Sequence, residues 1–341
     1  LATKVQIRPC FISFFKYMFK TAESVSPGHP DKMCDQISDA ILDACLVQDP
    51  LARVAIETVG GHGSIVVIGE LTTTAFVDVN PIAKRICWEN IGVLVNIVQQ
   101  SPEIAQGVDT GGAGDQGIMV GYATRETPNY MPLEYELARR LNEYLWKLHP
   151  NDGKTQITLD GNNLVAVVAS WCGTPHDILR EEVTEFLKKE ELLKGHDIVA
   201  AKLHLNPAGD WNIGGFTADT GLTGRKLAVD NYGPRVPIGG GAFSGKDPTK
   251  VDRSAAYKAR QMAVKLLEEK GANEVMVQIA YAIGYRHPVS CVAWIDGVAE
   301  NQDILRDDLT PQGIITSLDL CRPIYEQTAR YGHFGRGYMW G

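Results

Sequence analysis

A mixed chain of strands and helices is what this sequence predicts, on three observations. Its 341 residues amount to two or three domains at roughly 100–200 residues each. Hydrophobic spacing switches repeatedly between the period of a strand and that of a helix, which excludes an all-α or all-β chain. Short strands accompany helices in every third of the chain, although no sequence repeat goes with them.

The elements follow in order. After the breaker run Ser26-Pro27-Gly28-His29-Pro30, residues 35–48 place Ile37, Ile41 and Ala44 on one helical face. Alternating runs at 53–59, 64–71 and 73–79 predict three strands, the first two joined by the turn Gly60-Gly61-His62-Gly63. Leu133, Leu137, Leu141 and Leu145 predict a helix over 133–148. Another over 177–194 has Glu181, Glu182 and Glu185 early and Lys188, Lys189 and Lys194 late, the order that suits the helix dipole. A helix starting near Asp252 or Ser254 should stop at Gly271. Two strands follow, at 274–285 and 288–297. The glycine-rich stretches 107–117 and 206–245 are the candidate boundaries.

Composition narrows the class. With 44% hydrophobic and 22% charged residues the chain reads as globular, not collagen-like, coiled-coil or disordered. Its 33 basic and 41 acidic residues leave a net charge of −8, which disfavours a general nucleic-acid binder. Cys10, Cys34, Cys45, Cys87, Cys172, Cys291 and Cys321 are scattered and never spaced C-x-x-C, so neither a disulfide scaffold nor a zinc site is indicated, and a reducing cytoplasm is the expected compartment. No apolar run reaches the roughly 18 residues of a membrane span. The first twenty residues, with Lys4, Arg8, Lys16, Lys20 and an apolar cluster at 10–15, imitate a targeting peptide. Their apolar stretch is short and no cleavage site follows, so 1–18 is read as a non-core extension with Met18 an alternative start.

Four segments carry chemistry. Gly28-His29-Pro30-Asp31-Lys32 crowds an imidazole, a carboxylate and an ammonium at a helix start. These can converge on a ligand, or Asp31 can simply cap the helix with His29 and Lys32 turned to solvent. Gly112-Ala113-Gly114-Asp115-Gln116-Gly117 matches G-x-G-x-x-G literally, but a loop precedes it and a strand-like run follows, the wrong order for a dinucleotide fold. Gly240 to Lys246 fits G-x-x-x-x-G-K and then departs from a P-loop, because Asp247 stands where Ser or Thr would ligate Mg²⁺ and Pro248 delays the helix. Backbone N–H groups, Lys246 and Lys250 still suit a polyphosphate, and Asp252 a divalent cation. Gly221-Leu222-Thr223-Gly224-Arg225-Lys226 is a second glycine-bounded basic loop. Two such loops in an acidic chain point to one anion site.

On these residues the chain resembles the S-adenosylmethionine synthetase family from about Phe19 to Arg336. GHPDK at 28–32, GAGDQG at 112–117, GLTGRK at 221–226, GGGAFSGKDPTKVDRSAAY at 239–257 and YGHFGR at 331–336 stand in the family's order. The resemblance implies an α+β fold of three similar βαββαβ-type domains about a pseudo-threefold axis. It divides the chain into an N-terminal domain over 19–99, a mobile active-site loop over 100–112, a central domain over 113–214 and a C-terminal domain over 215–341. It also implies transfer of the adenosyl group of ATP to methionine sulfur, followed by hydrolysis of triphosphate to diphosphate and phosphate. A homodimer or dimer of dimers with interface active sites is implied, with two Mg²⁺ per site and K⁺. Position by position, His29, Lys154, Arg225, Lys226 and Lys246 would be catalytic. His29, Asp152, Lys154, Trp211, Asp219, Arg225, Lys226, Ala242 and Lys246 would line ATP. Glu70, Gln100, Asp115, Asp219 and Lys250 would meet methionine, Asp31 and Asp252 would bind Mg²⁺, and Glu57 would bind K⁺.

The chain also departs from the pattern. It is shorter between Trp88 and Gln100 and again before GAGDQG, and Asp210 precedes Trp211 where the family has a basic residue; a negative Asp210 close to ATP would be unfavourable unless it points away. A binding subunit without turnover and a P-loop phosphotransferase remain the alternative readings.

Overall fold

The computed structural model describes residues 19–87, 91–100, 111–300 and 307–341. The expected extension at 1–18 and nearly all of the expected loop at 100–112 lie outside these residues.

One order of elements recurs. It begins as β1 (Lys20–Val25), α1 (Pro30–Gln48), β2 (Arg53–Gly61), β3 (Ser64–Thr72), α2 (Val79–Cys87) and β4 (Gly92–Val98). It repeats as β5 (Gly117–Thr124), α3 (Leu133–Leu148), β6 (Gly153–Asp160), β7 (Asn163–Trp171), α4 (His176–Lys189) and β8 (Lys202–Leu205). After the short helix α5 (Gly215–Ala218) it returns in altered form: β9 (Gly221–Leu222), the one-turn α6 (Leu227–Asp230), α7 (Val251–Lys270), β10 (Glu274–Tyr281), β11 (Ser290–Ile295), β12 (Val298–Glu300) and α8 (Pro311–Leu318).

Among the described residues these strands form three four-stranded sheets, ordered β4-β3-β2-β9, β1-β6-β7-β8 and β12-β11-β10-β5. The first strand of each round leaves its own sheet. β1 pairs antiparallel with β6, β5 with β10, and β9 with β2, so the three units exchange strands in a closed cycle. The fold is the expected α+β one in three units, but the sheets cross the contiguous segments expected from sequence: β1 of the first segment lies in a sheet with residues 153–205, and β5 of the second with residues 274–300.

Each sheet carries its helices on one face. α1 lies on β2 and β9, α3 on β1 and β6, and α7 on β5 and β10. One apolar core joins the first and third units, and a second, from Leu137 to Leu205, fills the middle one.

The elements that spacing placed form there, with three differences. Residues 73–79 are not a strand, because the Asp49 carboxylate takes the Thr73 hydroxyl and the Thr74 N–H, curling the segment over the end of α1. The helix expected at 177–194 ends at Lys189, with a 3₁₀ turn beyond it. α7 starts at Val251 with Lys250 as its cap residue and no side-chain cap bond, although Gly271 ends it in the left-handed conformation as expected. Beyond these, β1, α2, β4, β6 to β9, β12 and α8, with the short helices α5 and α6, were not foreseen.

Candidate active site

α1 begins where Pro27 and Pro30 hold an extended approach. His29, not Asp31, is the cap residue, and its Nδ1 accepts the Asp31 N–H at 3.1 Å. That bond leaves the ring proton on Nε2. His29 and Lys32 are buried, so the solvent-facing alternative does not hold. Burial, with Lys226 and Lys154 beside it, holds the imidazole down at about 3, against the opposite pull of Asp31 and Asp219. His29 is therefore a neutral Nε2–H donor.

Asp31, the second residue of α1, is buried. Its Oδ1 accepts the Leu222 N–H at 2.9 Å and its Oδ2 pairs with Lys226 Nζ at 2.5 Å, while Arg225 Nε lies 3.5 Å away. Burial pushes this carboxyl upward, but the Lys226 and Leu222 bonds prevail and hold it below its usual range. At the start of β6, Asp152 accepts the Gly215 N–H at 3.0 Å. Desolvation raises it to about 6 against that bond and the Lys154 charge, with Asp219 adding to the rise. The Trp211 carbonyl accepts the Gly173 N–H at 2.8 Å, next to Cys172, whose N–H bonds the Asp152 carbonyl at 2.9 Å. His29, Asp31, Asp152, Lys154, Asp219, Arg225 and Lys226 thus form one cluster.

A second cluster lines a cavity of about 180 Å³ formed by Ala55, Glu70, Gln100, Gly114, Asp115, Lys246, Thr249, Lys250, Val251 and Asp252. Residues 245–247 run beside β2: Ile56 N–H bonds the Gly245 carbonyl at 3.0 Å and Asp247 N–H the Val54 carbonyl at 3.1 Å. Lys246 Nζ then meets Asp252 Oδ2 at 2.6 Å, and Lys250 Nζ meets the buried Asp247 Oδ2 at 2.5 Å. Asp247 also accepts the Val54 N–H, so it fastens the loop to the sheet where a P-loop would carry a metal ligand. GAGDQG leads into β5, not a helix, so the dinucleotide reading fails as expected. Ala242 lies against the loop that carries Arg225 and Lys226, since a Cβ on Gly224 would lie 2.5 Å from the Ala242 Cβ. Glu57 belongs to neither. It lies exposed on the sheet face opposite α1, beside Ile68 and in line with Ala55 and Glu70.

Asp210 turns away from both clusters. Its Oδ1 accepts the His176 N–H at 3.0 Å at the start of α4, whose own cap residue, Pro175, makes no side-chain cap bond. The acidic replacement therefore serves a helix end.

Sequence reading singled out Asp31 but missed the three aspartates that continue its spacing. Asp31, Asp35, Asp39 and Asp43 recur every four positions along α1, and each accepts backbone N–H groups from the C-terminal part of the chain: Leu222, Gly224, Gly245, and the pair Tyr325 and Glu326. The period of four was visible in the sequence; the partners were not.

Comparison with known proteins agrees along most of the chain. Residues 16–102, 110–211 and 213–341 match the family models described as S-adenosylmethionine synthetase, N-terminal, central and C-terminal domain. An S-adenosylmethionine synthase of a Sulfurovum species is 45% identical over 370 positions, covering 95% of each chain. One of a Nitratiruptor species is 46% identical, covering 93% of this chain and 92% of its own, and one of Petrotoga mobilis is 43% identical, covering 94% of each. The first alignment is longer than this chain, so that relative carries residues lacking here.

Proposed function

The chain belongs to the S-adenosylmethionine synthetase family, and from that premise we infer how its own residues act in the reaction. As a methionine adenosyltransferase it joins methionine sulfur to C5′ of ATP. The S–C5′ bond forms as the C5′–O bond breaks, triphosphate leaves with the electron pair, and water then splits it into diphosphate and phosphate. A thioether has no proton to lose, so no general base is needed. The task is to orient two substrates and to stabilise charge on the departing oxygens.

The observation that carries the assignment of roles is the pairing of three of the four candidate lysines with a carboxylate. Lys226 is held by Asp31, Lys246 by Asp252 and Lys250 by Asp247. These pairs aim the ammonium groups before a polyanion arrives. Lys154, Arg225, Lys226 and Lys246 then meet the triphosphate, and the neutral His29 donates its Nε2–H to it. Asp152, Asp219, Trp211 and Ala242 line the nucleotide, while Glu70, Gln100, Asp115 and Lys250 hold methionine with Asp219.

Asp31 and Asp252 fit Mg²⁺, a hard cation commonly held by one or two carboxylates together with substrate phosphates. They stand in different clusters, in keeping with two ions, and among the described residues no three-carboxylate cage exists. When bound, the metal would offset charge on the leaving triphosphate. Glu57 offers K⁺ one exposed carboxylate, so other ligands must complete that shell.

The assembly we propose is a homodimer, alone or doubled, with each site completed across the interface. Supporting it, the face that carries Glu57 and Glu70 exposes Ile68, Leu94 and Val98. A cytoplasmic setting suits the free thiols of Cys34, Cys45, Cys172, Cys291 and Cys321. Among the described residues no helix is long and apolar enough to cross a membrane.

The test is direct. Purified protein given ATP, methionine, Mg²⁺ and K⁺ should form a sulfonium product detectable by mass, with methionine-dependent release of phosphate and diphosphate. Lys246→Ala and Asp31→Ala should each lower turnover by about a hundredfold or more. ATP binding without release would favour a non-catalytic subunit, and full activity in Lys246→Ala would sink the role of that lysine.

A further inference from the structure

We propose that Asp35 and Asp39 of α1 are positioning residues: by accepting the Gly224 and Gly245 N–H groups they set the two basic loops, carrying Arg225–Lys226 and Lys246, at an offset fixed by the helix. The proposal rests on the reaction assigned above.

Both contacts are 2.8 Å long and both carboxylates are fully buried. Each is braced by a cation on a helix. Lys32 Nζ lies 3.0 Å from Asp35 Oδ2 and 2.5 Å from Asp230 Oδ1. Arg253 grips Asp39 with two bonds, at 2.6 and 2.8 Å, and also donates to the carbonyls of Phe243 and Lys246. Asp230 closes the far end of the loop that begins at Gly221, so α1 holds that loop at both ends.

Helical rise turns this into a measure. Residues four apart stand about 6 Å apart along the axis. The contacts to Leu222, Gly224 and Gly245 therefore fall in order along one rigid element. β2 repeats the order, pairing with β9 at Val59 and Gly60 and meeting Lys246 at Ala55. Two loops that share a polyanion must be closely aligned, since a misplacement of about 1 Å costs about a hundredfold in rate. Neither Asp35 nor Asp39 needs to touch a substrate to provide that alignment.

Asp35 is the better test, because removing Asp39 would strand the buried Arg253. In Asp35→Ala, kcat for sulfonium formation should fall about a hundredfold while KM for methionine stays within about threefold. Hydrolysis of added inorganic triphosphate should fall alike, and amide exchange over residues 222–226 should quicken at least about tenfold with residues 274–281 unchanged. Asp35→Asn keeps an oxygen acceptor for Gly224 and should recover to within about tenfold of wild type. Wild-type turnover and protection in Asp35→Ala would overturn the proposal, as would an Asn variant no better than Ala. Should the Ala variant fail to fold, Asp35→Asn decides alone: a normal melt with lost Gly224 protection and wild-type turnover refutes the positioning role. Wild-type protein that makes no sulfonium product would instead refute the reaction, and the exchange measurement, which needs no substrate, would still test the clamp.

Discussion

Asp43 continues the α1 stripe beyond the ligand loops, where its role is to hold backbone: it accepts the N–H groups of Tyr325 and Glu326 at 2.9 and 2.8 Å. Burial raises its carboxyl to about 7 from 3.8, with Asp39 adding to the rise, while the two N–H bonds and Arg253 oppose it. Between these values the folded chain holds a proton that the unfolded chain has released, so this group's contribution to stability falls as pH rises through about 7. Asp43→Asn keeps an acceptor and removes the titration. Its stability relative to wild type should therefore climb by about 2 kcal/mol between pH 5.5 and 8.5 in urea melts. A gap that does not change with pH would mean that Asp43 ionises freely in the fold.

At the scale of elements, the exchanged strands are pressed hard against the helices that receive them. A Cβ on Gly121 of β5 would lie 2.0 Å from the backbone carbonyl carbon of Ala259 in α7, and one on Gly221 of β9 would lie 2.2 Å from Pro30 at the head of α1. Neither obstacle is a side-chain tip that can turn aside. Gly121→Ala should destabilise the fold by about 1–3 kcal/mol, seen as a lowered urea midpoint; an unchanged midpoint would show that α7 rides loosely over β5. Such contacts also mark how far sequence reading reaches. α3 was legible because Leu133, Leu137, Leu141 and Leu145 carry its period locally. The two-residue β9 was not, because it exists only through Val59, Gly60 and the Asp31 carboxylate. Residues 73–79 alternate like a strand, yet Asp49 competes for their polar groups. The candidate site behaves the same way. Its residue types and motif order were readable, whereas its division into two clusters depends on where residues 245–247 meet β2, a register that no local signal specifies.

Over the whole molecule, the cyclic exchange of β1, β5 and β9 binds three units that would otherwise melt separately. If the first unit opened alone it would withdraw β1 from the middle sheet, exposing the edge of β6 and the buried Ala22. Opening the middle unit alone would take β5, with the buried Met119 and Ala123, from β10. Loss of the third would uncover the edge of β2 and release the N–H partners of the α1 aspartates. Each local opening thus forfeits burial and strand pairing in the next unit, which raises sub-global openings toward the global free energy. A chain of this length would otherwise be expected to unfold domain by domain. Hydrogen exchange followed by mass spectrometry across a urea series should therefore find residues 53–72, 153–171 and 274–295 losing protection at one common midpoint. Distinct midpoints, with residues 153–171 opening while 274–295 stay protected, would show that β5 can leave the middle unit without unravelling it and that the exchange links the units without making them one cooperative body.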